Sequence, residues 1–141
     1  MIAKIVDLQE KQFVKPTTPF PVSDFKVGDF WVADFPYPGK VGEDPHPCLI
    51  LEVHPDELTV LAIRTTHDRG KGAFREGIEL PILGWEEGGL WKKSYFVLNN
   101  VRKVDVADFY EKLKHVTNFD WVSVTDALEH KYPNLHFPES V

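Results

Sequence analysis

Between residues 48 and 65 two apolar runs, CLILEV and LTVLAIRT, are separated only by HPDE. Each run is short, rich in β-branched residues and bounded by a proline or an acidic residue, which is strand chemistry. A connection this brief leaves two strands no room to do anything but turn back on each other, so the pair reads as an antiparallel hairpin. CLILEV has no polar member before Glu52, the pattern of a strand covered on both faces. Directly before it, His46 sits between Pro45 and Pro47. Each proline fixes its own φ and restrains the residue preceding it, so His46 is held stiffly at the strand entrance.

The same signature recurs on either side of the hairpin. GDFWVADFPY places Phe30 and Val32 on one face and Trp31, Ala33 and Phe35 on the other. GIELPIL and SYFVLNNVRKV supply two further strands, with Gly, Pro and Asp at the breaks. Many short strands in a small body predict a mainly β, β-rich α+β fold, a closed or half-closed antiparallel barrel. The end of the chain changes period. DVADFYEKLKHV spaces Val106, Phe109, Tyr110, Leu113 and Val116 as on a helix, with Asp105 as N-cap, and DWVSVTDALEHKY offers a second helix ending before Pro133. Residues 1–15 fit a short strand or a helix, and the proline-rich KPTTPFPVSDF reads as a connector. The expected organisation is an N-terminal arm over residues 1–25 and one body over 26–141. That body comprises a barrel to residue 104, a helical segment over 105–132 and a tail.

A chain of 141 residues with 43% apolar and 13% aromatic content can bury a core as one domain. A net charge of −6 argues against a general nucleic-acid coat protein, which needs a basic face. The single cysteine excludes an internal disulfide and suits a reducing cytoplasm. With no signal-peptide core and no apolar run of membrane-spanning length, a cytoplasmic protein without membrane contact is expected.

Chemistry concentrates in two places. From Arg64 to Arg75 the segment RTTHDRGKGAFR sets Arg64, Arg69, Lys71 and Arg75 against Asp68 alone, a local +3 on an acidic chain. Gly70 and Gly72 would let the backbone approach a ligand, and a cationic loop after a strand suits a phosphate. The same composition also describes a solvated loop. Thr65 and Thr66 end the strand feeding it, one pointing inward and the other outward. In GGLWKK, Trp91 beside two lysines could stack on and pin a single-stranded base, or simply fill a barrel rim. Six histidines raise metal binding, but no CxxC or HExxH spacing accompanies them, so no metal or cofactor is expected. Cys48, inside an apolar run, reads as an inert core thiol.

Four segments in order resemble the MazF/PemK family of toxin endoribonucleases: VGDFWVADFPYP, HPCLILEV, LAIRTTH and GLWKKSYFVLNNVRKVD, spanning roughly residues 26–116. The resemblance implies an SH3-like antiparallel barrel with a C-terminal helix, usually homodimeric and paired with an antitoxin protein. It also implies metal-independent cleavage of single-stranded RNA, in which a ribose 2′-OH attacks the adjacent phosphate. On that pattern Thr65 falls on the family threonine, and His46 falls where the family carries arginine. Asn99 and Asn100 replace an Asp-Gln pair, and Glu43 and Asp44 put negative charge in the opening loop. The carried-over candidates are His46 and Thr65 for catalysis, with Arg64, Thr66, His67, Arg69, Lys71, Arg75 and Trp91 contacting substrate. Loss of the arginine leaves a second reading open, a catalytically inactive barrel that serves as a protein-binding or regulatory module.

Overall fold

The computed structural model describes residues 4–8, 11–35, 45–67 and 77–141. Strands β1 (Lys4–Leu8) and β2 (Lys11–Lys15) form an antiparallel hairpin of their own. A six-stranded antiparallel sheet follows from β3 (Asp29–Asp34), β4 (Pro45–His54), β5 (Thr59–His67), β6 (Glu79–Pro81), β7 (Ser94–Asp105) and β8 (Phe109–His115). Its order is β6-β7-β5-β4-β3-β8. The edge strands β6 and β8 do not pair with each other. Residues 82–90, which follow β6, bridge from β7 to β8 instead: Ile82 N–H donates to Ser94 O on β7, and Lys114 N–H on β8 donates to Gly88 O. The barrel therefore closes through a turn rather than through a strand ladder. Helix α1 (Asn118–Lys131) follows β8.

The central stretches of β3, β4 and β5 bury side chains on both faces, as the unbroken apolar runs require. Phe30, Leu49, Leu51, Ile63 and Phe96 point into one cluster, which α1 covers with Trp121, Val124 and Leu128. Trp31, Ala33, Cys48, Ile50, Val60 and Ala62 point into the other, closed by Phe25, Val106 and Phe109. Burial pushes the Cys48 thiol up, far from the thiolate needed for nucleophilic work.

HPDE turns the β4–β5 hairpin as the sequence predicts, through a single 3₁₀ turn over Pro55–Glu57. Leu58 leaves it in the left-handed region, at φ 54° and ψ 40°, with a side chain 53% exposed. A leucine is strained there by about 1–2 kcal/mol, and glycine's extra unfolded-state freedom costs less than that. Leu58→Gly should raise stability by about 0.5 kcal/mol, read as a higher denaturation midpoint. A lower midpoint would mean that the leucine side chain contributes packing.

The helical expectation for residues 105–116 is overturned. Asp105 does cap a turn, its Oδ1 accepting from Ala107 N–H at 2.8 Å, but that turn is a single 3₁₀ turn over Val106–Asp108. The residues beyond it form β8, paired antiparallel with β3. The misleading period has a physical origin. The β3–β8 register slips twice, between Asp29 and Trp31 and between Val32 and Ala33. Each bulge inserts an extra β8 residue and resets which side faces inward. Apolar side chains then recur at mixed spacings that imitate a helix.

The second helical segment is real. Thr117 caps α1, its Oγ1 accepting from Asp120 N–H at 3.2 Å. Buried Asp120 accepts in turn from Thr117 Oγ1 at 3.0 Å and from the backbone N–H groups of Leu83 and Gly84 at 3.0 and 2.7 Å. One carboxylate thus ties the helix start to the turn that closes the barrel. No helix among the described residues is long and apolar enough to cross a membrane.

Candidate functional site

The prolines flanking His46 shape a pocket as well as stiffening the chain. β4 pairs with β3 all the way to Pro45, matching Asp34↔Pro45, Ala33↔His46 and Val32↔Pro47. Its ladder with β5 stops at Cys48↔Arg64. Pro45 and Pro47 carry no N–H, so the β5 side of this segment lacks donors and the strands separate. The Thr65 hydroxyl bridges the gap, donating to Pro47 O at 2.8 Å. A shallow pocket opens at this point, lined by His46, Pro47, Thr65, Thr66 and His67, with Leu90, Trp91, Lys92 and Ser94 facing them.

The same separation decides what touches His46. Arg64 Nη2 lies 3.3 Å from His46 Nε2. A guanidinium can only donate, so Nε2 is the acceptor, and a neutral His46 carries its proton on Nδ1. The arrangement depends on a bulge at Leu51: Ile50 pairs with Ala62, whereas Glu52 pairs with Leu61. Without that extra residue Cys48 would face Thr65. With it, Cys48 faces Arg64, and His46 becomes Arg64's diagonal neighbour on one face of the sheet.

The candidates divide accordingly. His46, Thr65, Thr66, His67 and Trp91 all line the pocket, while Arg64 reaches it through His46. Thr65 is only 1% exposed, its hydroxyl engaged with Pro47. His67 and Lys92 are exposed, and Trp91 is half-buried. Arg69, Lys71 and Arg75, together with Glu43 and Asp44, lie outside the described residues. Asn99 is exposed, and Asn100 is buried where β7 bulges between its pairings with Ile63 and Thr65. Ser94 was not singled out from the sequence; the His67↔Ser94 pairing brings it to the pocket wall. Phe13 was missed as well, and its ring lies 5.3 Å from that of Trp91. Nothing in its local sequence marks it, because the contact joins segments far apart in the chain. Among the described residues no group of three His, Cys, Asp or Glu side chains could hold a metal ion.

Fold and site together define a small antiparallel barrel with a pocket built at a proline-split hairpin. A solved structure with a similar fold is an endoribonuclease in complex with its cognate antitoxin from a mycobacterial species. It is 17% identical, with a TM-score of 0.55 over 79% of this chain and 96% of that one. Residues 26–131 match the family described as PemK-like, MazF-like toxin of type II toxin–antitoxin systems, and the chain belongs to that family. No curated protein matches it.

Proposed function

We propose that this protein is a ribonuclease that cleaves single-stranded RNA by attack of a ribose 2′-OH on the adjacent phosphate. The observation that carries this reading is the His46–Arg64 hydrogen bond at the mouth of the pocket. In the family resemblance an arginine occupies position 46. Here the two properties of that arginine are shared between two residues. His46 presents an N–H through Nδ1, and the guanidinium behind it supplies permanent positive charge.

Such a pair suits the phosphorane that forms as the 2′-oxygen adds. The Nδ1–H donates to a non-bridging oxygen, and Arg64 stabilises the growing negative charge. The substrate supplies its own nucleophile, so the reaction needs groups to move protons rather than a metal. His67, on the same wall, carries an imidazole suited to accept the 2′-OH proton or return one to the leaving 5′-oxygen. Thr65 holds Pro47 and thereby fixes His46. Trp91 offers a stacking face for a base, and Lys92 a charge for the flanking phosphate.

We further infer that the protein pairs with an acidic, partly disordered antitoxin peptide that occupies the RNA path, and that it functions as a homodimer. Membership of a toxin–antitoxin family supports the first inference.

Purified protein incubated with mixed-sequence RNA and EDTA tests the activity. Wild type should cleave, and His46→Ala should be slower by roughly two to three orders of magnitude. Intact RNA, or equal cleavage by both proteins, would refute the activity and favour a non-catalytic binding module.

A further inference from the structure

The N-terminal hairpin lies outside the residues that match the family, which begin at 26. It nonetheless packs against a residue of the pocket wall, Trp91. Phe13 is 1% exposed and packs with Val32 and Tyr110, and Trp91 lies against that cluster. The Phe13 and Trp91 rings meet at 5.3 Å with an interplanar angle of 40°. The neighbouring β2 residues Gln12 and Val14 are exposed, so Phe13 is the inward residue of an alternating strand. Lys15, inward again, anchors the hairpin. Its Nζ lies 2.9 Å from Asp34 Oδ2 and 5.5 Å from the centroid of the Tyr110 ring. Tyr110 OH donates to Asp34 Oδ1 at 2.9 Å. The anchor is tied to β3 and β8, the same two strands that carry Val32 and Tyr110.

We propose that the N-terminal hairpin is a working part of the RNA site, with Phe13 as a positioning residue. It backs the indole of Trp91 and holds that ring at the angle from which it stacks on a base. This rests on the ribonuclease reading and extends it to a segment that the family match does not include. Trp91 is half-buried and belongs to no regular element, sitting in the bend that precedes β7. Its orientation therefore depends on what packs behind it, and an aromatic platform stiffens a ring in a way that an aliphatic filler does not. The hairpin would thus set how strongly the pocket grips a flanking base without touching the phosphate.

The test is binding of a short, fluorescein-labelled, mixed-sequence single-stranded RNA, followed by anisotropy, in a double-mutant cycle of Phe13→Leu and Trp91→Ala. Leucine keeps the apolar filling, and thermal melting monitored by circular dichroism verifies the fold. Phe13→Leu should weaken binding about fivefold, at the lower end of what a lost base–aromatic stack costs. It should weaken the Trp91→Ala protein no further, because both changes remove the same contact. Val14→Ser, on the exposed face of the same strand, should bind as wild type does. Unchanged binding by Phe13→Leu, or fully additive losses, would overturn the proposal while leaving the ribonuclease reading intact. A wild-type protein that binds no RNA would overturn both.

Discussion

Arg64→Ala should cost roughly a hundredfold in RNA cleavage, although Arg64 does not line the pocket. Its effect is relayed through His46. With the guanidinium gone, Nε2 loses the donor that Arg64 gives it, and the imidazole loses the positive charge beside it. The positive charge that Arg64 holds beside the imidazole is then missing as the phosphorane forms. Arg64→Lys separates the two contributions. Lysine restores charge and a donor but lacks the planar fork, so it should recover part of the lost rate. The measurement is single-turnover cleavage, with RNA binding determined alongside. The loss should fall mainly on the rate of the chemical step, since charge development in the transition state is what Arg64 answers to. A loss confined to binding would assign Arg64 to ordinary phosphate attraction instead.

Trp121→Ala should unfold or nearly unfold the protein. Its indole is fully buried under the sheet, in the cluster with Leu49, Ile63 and Phe96. Its Nε1–H donates to Pro138 O at 2.8 Å, and Phe137 packs edge-on with ring centroids 6.2 Å apart. One residue thus joins helix, sheet and C-terminal segment. Truncating a large buried aromatic removes about 3–5 kcal/mol, a large share of the 5–15 kcal/mol that typically holds a domain together. Urea denaturation should show a collapsed midpoint. Trp121→Phe, which keeps most of the packing and loses the N–H donor, should cost far less. Equal losses in the two variants would place the stabilisation in the Pro138 hydrogen bond rather than in packing.

The alternation of residues was a faithful guide wherever a strand ran without interruption. Phe30 and Trp31 entered opposite cores, as did Leu49 and Ile50, because a pleated strand has no other way to place consecutive apolar side chains. It failed where bulges changed the phase. Two slips in the β3–β8 register let Phe109, Tyr110 and Leu113 on the strand, with Val106 and Val116 flanking it, imitate a helical spacing. The site depended on a bulge too. His46 and Thr65, the two candidates for catalysis that the family resemblance implies, line one pocket. The extra residue at Leu51 then made Arg64 the partner of His46 and gave Thr65 to Pro47. A bulge has no residue signature as plain as a proline's, so none of these slips was legible. The prolines were. Their missing N–H groups account for both the stiffness of His46 and the split beside it. The Phe13–Trp91 contact was invisible for a different reason: it joins segments almost eighty residues apart, and no local pattern records such a meeting.

The central claim is that the pocket at the split hairpin cleaves RNA through the substrate's own 2′-OH. End-group analysis of the products tests it most directly, alongside a substrate of the same sequence carrying 2′-deoxyribose throughout. The account predicts RNA fragments ending in a 2′,3′-cyclic phosphate and beginning with a 5′-hydroxyl, and no cleavage of the deoxy substrate. Fragments beginning with a 5′-phosphate, or cleavage of the deoxy substrate, would contradict it.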